Sequence, residues 1–320
     1  MFTSSQSSKE AMRVAIQRQI IVMFWTLFSL SSLMLTPAWA ADKVQPPNHG
    51  ALFKVQQGGH TLYLFGTIHV GAADFYPLEP RISAALKKAP VLALEIDPLG
   101  DQQPLLRAVQ RHGMLARGGP AGPELSADWR QRLDRLLKQY NIEPETVAAM
   151  KPWLLASLLT VSEFSAQGYE AALAVDAHLS RQAHGRGQKV IELESAESQM
   201  ALFDQMSAAE QLVFLQEAIA GIEDKEQANQ AREIADAWRK ADVIALDALA
   251  LKAGMDDSFS GRFVQKVLLD GRNPTLADGM ARLMARENNS VAAIGILHLI
   301  GNGSVPELLR KRGMAVERIY

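Results

Sequence analysis

What most constrains this chain is a pattern that occurs in it twice. Leu62-Tyr63-Leu64-Phe65-Gly66-Thr67-Ile68-His69 is an apolar strand ending in Gly-x-x-His, and Val291-Ala292-Ala293-Ile294-Gly295-Ile296-Leu297-His298 repeats it near the other end. Each copy continues into a polar turn containing glycine, a proline at a helix start (Pro80, Pro306), a short helix (residues 81–88 and 307–312) and another apolar strand (residues 91–96 and 315–319). A βαβ unit written twice puts a His at the C-terminal end of a strand in each copy, where open α/β sheets build their sites. The expected fold is therefore α/β (α+β). A small central sheet comes from two Gly-x-x-His units, about 51–97 and 290–320, with a large helical insertion at about 98–289.

Elsewhere the periodicities place the remaining elements. Ala51-Leu52-Phe53-Lys54-Val55 alternates as a strand, and Gly58-Gly59 is a two-residue hairpin signal. From Asp97 onward the apolar period is helical. Gly118-Gly119-Pro120 and Gly122-Pro123 read as a loop, Ser126 as a helix cap, Pro144 as a helix start and Pro152 as an interruption. Lys189-Val190-Ile191-Glu192-Leu193-Glu194 is the insertion's only strand; four helices follow it, at 207–220, 225–240, 243–252 and 275–286. No flexible linker brackets the insertion, so residues 41–320 are expected to form a single domain.

Composition excludes several function classes. The 320 residues are 48% hydrophobic and 21% charged, with a formal net charge of −2, so no bulk field favours nucleic acid. There are no cysteines, which removes disulfides, Cys-based zinc sites, a lipoprotein anchor and thiol catalysis. Lys9, Arg13 and Arg18 precede an apolar run from Ile20 to Leu35, and Pro37-Ala38-Trp39-Ala40 supplies small residues before Ala41. The run falls short of the ~20 residues of a span. Residues 1–40 are thus expected to be a signal peptide cleaved after Ala40, giving a periplasmic or secreted protein with no membrane span.

The two His are the first candidates for chemistry, because neutral imidazole binds a divalent cation through one nitrogen when the other is held. Glu95 ends the strand expected beside that of His69, and two His with one carboxylate is a catalytic metal arrangement. Asp97, two residues on, is a weaker candidate. Arg272 stands in Gly271-Arg272-Asn273-Pro274, where Asn273 reads as a helix N-cap and Arg272 either as a surface residue or as a holder of a carboxylate or oxyanion. Glu194 ends the insertion strand and borders the same region. His49, His60, His112, His178 and His184 lack the repeated context and read as structural or surface residues.

These residues resemble the TraB/PrgY/GumN family, within the wider grouping that includes the Tiki proteins and is distantly similar to the erythromycin esterase and ChaN proteins. The resemblance runs from about Ala51 to Tyr320. It is carried by Gly66-Thr67-Ile68-His69, Leu94-Glu95, Met150-Lys151-Pro152-Trp153, Leu193-Glu194 with Gln199, Arg272-Asn273, and Gly295-Ile296-Leu297-His298 with Leu299 and Gly301. Met-Lys-Pro-Trp is typical of the exported bacterial branch. The resemblance implies a sheet of two repeat units with a helical insertion, a metal-dependent peptidase activity as in Tiki relatives, and His69, Glu95, Arg272 and His298 as site positions. Erythromycin esterase relatives carry Gly-Glu-x-His where this chain has Thr67, which argues against an esterase-type acid–base role.

The function expected is that of an exported metal-dependent hydrolase, peptidase-like, acting on a peptide or small-molecule substrate. His69, His298 and Glu95 would hold Mn, Co or Zn, Arg272 would stabilise the oxyanion, and Glu95 could instead serve as general base. The alternatives are a periplasmic protein that binds a peptide or haem-like ligand without turnover, and a metal-free esterase using His69 as base.

Overall fold

The computed structural model describes residues 46–116 and 124–320. The expected signal peptide and the loop at 118–123 lie outside the described residues. Six strands make one sheet: β1 (Leu52–Gln57), β2 (His60–Thr67), β3 (Val91–Leu94), β4 (Lys189–Glu192), β5 (Ser290–Gly295) and β6 (Ala315–Arg318), in the order β4-β3-β5-β2-β1-β6. The architecture is mixed α/β and rich in helix. β1 and β2 form the expected hairpin, and Gly58 and Gly59 both have positive φ (58° and 82°), as its tight turn requires. β2, β5, β3 and β4 run parallel, while β6 pairs antiparallel with β1 at the edge.

One expectation about the sheet is corrected. β3 is not the neighbour of β2, because β5 lies between them. Every residue of β5 is buried, and its run of Val, Ala, Ala and Ile suits a central strand covered on both faces. β5, late in the chain, thus closes the middle of a sheet whose first strands come from the N-terminal end of the described residues. The register is also displaced by one residue: Thr67, and not Gly66, stands opposite Gly295. Side chains alternate across a strand, so the glycines of the two Gly-x-x-His stretches face opposite sides of the sheet.

β4 comes from within the helical stretch and pairs with β3, which ties that stretch to the sheet. Some of its helices pack around a second apolar core that includes Leu136, Trp153, Leu215 and Phe263, while others join the core on the sheet through Val175, Leu179, Trp238, Leu246 and Met280. Local signals start the helices as their physics predicts. Ser126 accepts from the amide of Trp129 (3.4 Å), Ser207 and Glu210 form a capping box, and Asp242 accepts from Ala245. Pro152 opens the helix Pro152–Ala166 and does not interrupt one, since a first-turn residue needs no amide hydrogen. The helices Gln103–Ala108 and Ala196–Asp204 and the π-helical turns Val109–Gly113 and Val264–Asp270 are additions that the sequence reading did not contain. Among the described residues no helix is long and apolar enough to cross a membrane.

Candidate functional site

Three strand ends meet at one place. Glu95 follows β3 directly and is 7% exposed. Its neighbour on the adjacent strand is Glu194, whose amide donates to the Glu95 carbonyl (3.0 Å) as β4 runs on beyond Glu192. Two adjacent buried carboxylates repel unless a cation lies between them, and Arg272 supplies it. Its Nε donates to Glu194 Oε1 (3.0 Å), and its Nη2 donates to Glu194 Oε2 (2.5 Å) and to Glu95 Oε2. The remaining guanidinium nitrogen donates to the Leu268 carbonyl (3.4 Å), so the π-helical turn before Arg272 helps to aim it. Gln199 Nε2 completes the cluster, reaching Glu194 (3.0 Å) and Glu95 (3.3 Å). Burial alone would lower the Arg272 pKa, but the two carboxylates overcome it and hold the guanidinium charged.

The other Glu95 oxygen faces Gly295, whose amide donates to it at 2.7 Å. Gly295 has ordinary extended dihedrals (φ −51°, ψ 135°), so glycine is not needed there for its backbone. What its missing side chain changes is the space beside it. A β-carbon on Gly295 would lie 3.3 Å from Glu95 Oε1, 3.4 Å from His69 Nε2 and 3.6 Å from His298 Cδ2. Gly295 on the central strand thus stands between Glu95 from β3 and His69 from β2.

The two His are held in different states. His298 is 4% exposed, and its Nδ1 lies 2.6 Å from Asn273 Oδ1. Asn273 Nδ2 donates to the Gly303 carbonyl (2.9 Å), which orients the amide and makes its oxygen the group facing the ring. Nδ1 therefore donates, and Nε2 keeps its lone pair, 3.9 Å from Glu95 Oε1. Burial is the main reason the His298 pKa falls to about 4, with Glu95 opposing, so the ring is neutral at pH 7. His69 stands at the floor of a cleft but leaves 62% of its side chain open to it, with Nδ1 3.4 Å from Asp176 Oδ2. Asp176 is carried by the helix Val175–Gly185, which is docked through the Val175 amide to the Ile68 carbonyl (3.0 Å). Partial loss of water in the cleft would lower the His69 pKa, yet Asp176 and then Glu95 outweigh it and raise it to about 9. Glu95 in turn is pushed up by burial but ends at about 2 under nearby positive charge and the Gly295 amide. The charges that lower it are those of His298, protonated once the pH falls below about 4, then His69 and Arg272.

Among the described residues, no three His, Cys, Asp or Glu side chains close to metal-ligating distances. Three features of the site bear on a divalent cation. Its donors converge where a β-carbon would be; Thr67 Oγ1, opposite Gly295, is buried without a hydrogen-bond partner; and Glu95, Glu194 and Asp176 outnumber the charged Arg272 and His69. Beside them opens a cavity of about 290 Å³ whose walls include Leu105, Trp153, Met200 and Phe203.

All five residues singled out first, His69, Glu95, Glu194, Arg272 and His298, lie in this neighbourhood. Asp97 does not join them: its carboxylate engages Ser180 Oγ (2.5 Å) and His184 Nε2 (2.7 Å). Asn273 is not an N-cap but the first residue of the helix Asn273–Arg286, buried against His298. The sequence reading missed Asp176 and gave Gln199 no role. Gln199 had a local signal, five positions after Glu194 at the opening of a helix; Asp176 had none.

The model of the TraB/PrgY/gumN family matches residues 51–318. An uncharacterized protein of Escherichia coli (strain K12), YbaP, is 25% identical over 272 residues, covering 85% of this chain and 96% of the relative. The Shigella flexneri protein of the same description matches to the same extent. No solved structure matches.

Proposed function

The chain belongs to the TraB/PrgY/gumN family, and from that premise we propose that it is an exported metal-dependent hydrolase that cleaves peptide bonds. The observation that carries the reading is the convergence of Glu95 Oε1, His69 Nε2 and His298 on the space left by the absent side chain of Gly295. His298, Glu95 and His69 would hold Mn, Co or Zn; such a cation, when bound, polarises a carbonyl and acidifies a water.

The chain's own residues prepare this. Asn273 keeps the Nε2 lone pair of His298 free, and Arg272 and Gln199 hold Glu95 ionised with one oxygen turned to the open space. Arg272 acts here as a positioning residue. Its hydrogen bonds go to Glu95, Glu194 and the Leu268 carbonyl, so the oxyanion role expected from the sequence gives way to the holding of two carboxylates. Glu194 offsets the Arg272 charge and fixes its plane. His69, protonated at neutral pH without a cation, would give up that proton if it held one, with Asp176 retaining the other ring nitrogen. In the cleavage itself water adds across the amide: the C–N bond breaks, a C–O bond forms, and the proton given up by the water ends on the leaving amine.

The test is elemental analysis of full-length protein purified without chelator, together with digestion of an unbiased peptide library with and without chelator. Near-stoichiometric Mn, Co or Zn and chelator-sensitive cleavage are expected, and both should vanish in His298→Ala. Cleavage that survives chelation would remove the metal from the reading; bound metal with no cleavage would leave a binding protein. Export is tested by the mass of the mature chain, which should begin at or near Ala41.

A further inference from the structure

The cavity beside the site has a character of its own. It is continuous with Thr67, His69 and Glu95 at one end, and its far walls are Leu105, Trp153, Val161, Met200 and Phe203. Trp153 and Phe203 stack with ring centroids 4.9 Å apart, and the indole is fixed by donating to the His112 carbonyl (3.0 Å), so the floor is rigid. Ser157, the hydroxyl on that wall, is already bonded to the Trp153 carbonyl (3.0 Å). Charged and amide groups are thus confined to the end where the bond would be cut. The volume of about 290 Å³ equals that of about ten waters in the liquid and lies at the lower limit for ligand pockets. It suits one large side chain with its adjoining backbone.

We infer that this pocket selects a bulky apolar side chain, Leu- or Phe-like, next to the scissile bond. The inference rests on the hydrolase reading for its substrate class, but the pocket can be tested apart from turnover. Seating such a side chain releases water from an apolar, rigid wall, a driving force proportional to the area covered. The helix Ala196–Asp204 links the pocket to the chemistry: Met200 and Phe203 line the wall, while Gln199 between them holds Glu95 and Glu194. An occupied pocket therefore braces the carboxylate it adjoins.

The experiment uses blocked pentapeptides that differ at one position (Gly, Ala, Leu or Phe). They are assayed for kcat/KM with the metal-loaded full chain and for calorimetric binding to chelator-treated protein. Leu and Phe peptides should exceed the Gly peptide about 10-fold or more in both, the scale of apolar-pocket discrimination. Val161 projects from the helix Pro152–Ala166 into the cavity and is half-buried. Val161→Phe should narrow the pocket and lower the Phe peptide about 10-fold while the Ala peptide moves less than about 3-fold. Val161→Ala, which favours helix, should leave binding of the Phe peptide intact or improved, and it serves as the test should the larger variant not fold. Preferential binding without cleavage upholds the pocket and overturns the hydrolase. Cleavage or binding indifferent to the side chain overturns the pocket, whatever the turnover.

Discussion

The two Gly-x-x-His stretches are alike in sequence and opposite in structure. On Gly66 the β-carbon direction is filled by core: Ile296 Cδ1 would lie 2.3 Å away and Leu299 Cδ1 3.2 Å, and its carbonyl accepts from Trp238 Nε1 (2.8 Å). On Gly295 that direction is left open for Glu95 and both imidazoles. The first stretch ends in an open, charged His69 beside an acid; the second ends in a closed, neutral His298 beside an amide. The cause is the one-residue register shift, which sets Thr67 against Gly295 and so sends the two glycines to opposite faces. A repeated motif need not be a repeated role: one glycine packs the sheet and the other leaves room for a site.

Removing the buried charge that supports the second stretch should have the largest effect. Arg272→Met leaves Glu95 and Glu194 side by side without their cation, at a cost of roughly 3–5 kcal/mol, read from the urea midpoint. A change below about 1 kcal/mol would mean that the carboxylates are not ionised together. The two glycines then separate stability from function. Gly66→Ala forces Ile296 to move within a filled core and should cost about 1–3 kcal/mol with metal binding retained in the folded fraction. Gly295→Ala has compatible dihedrals, so it should keep or slightly raise stability, by about 0.4–1 kcal/mol, while metal content and turnover are lost. Equal behaviour of the two alanine variants would break the distinction.

The imidazole partners sharpen it further. Asn273→Ala strands the Nδ1–H of a buried ring and should cost about 1–3 kcal/mol. Asp176→Ala removes the partner of an open one and should cost less than about 1 kcal/mol, visible mainly as a weaker proton affinity at His69 by NMR titration.

How much of this could be read beforehand follows from where each cause lies along the chain. The hairpin at Gly58-Gly59, the cap at Ser126 and the runs that became β2, β3 and β5 were legible, because turn chemistry, capping and apolar period act over a few residues. The place of β5 was not, since which of two buried parallel strands lies next to β2 depends on packing between segments more than 200 residues apart in sequence. That error also concealed the reason for Gly295, whose missing side chain matters only with Glu95 on one flank and His69 on the other. Asn273 was misread for a sound local reason: Asn before Pro is a good helix start, and nothing nearby announces His298 as its partner. The chemistry-bearing residue types were visible; their neighbours were fixed by tertiary contact.

The smallest effect expected is in the pH dependence of metal-free stability, where the two His should act on opposite limbs. His298 titrates at about 4 in the folded chain against 6.5 ordinarily, so between those values the unfolded chain binds more protons and stability rises with pH. Its contribution is present above pH 6.5 and is lost as the pH falls toward 4. Glu95, at about 2 against 4.5, extends the same loss from pH 4.5 down to 2. His69 has the other sign: raised to about 9, it holds its proton better when folded, so its contribution is present below pH 6.5 and is lost as the pH rises to 9. Its side chain is largely open, so solvent screening keeps this alkaline limb shallow. Thermal unfolding of chelator-treated protein should therefore peak near pH 6.5, fall steeply on the acid side and gently on the alkaline side. His69→Asn should flatten the alkaline limb alone; a limb that persisted in this variant would assign it to other groups and unseat the account of His69. A saturating divalent cation should reverse the limb in the parent protein, because the cation competes with the His69 proton and binds better as the pH rises.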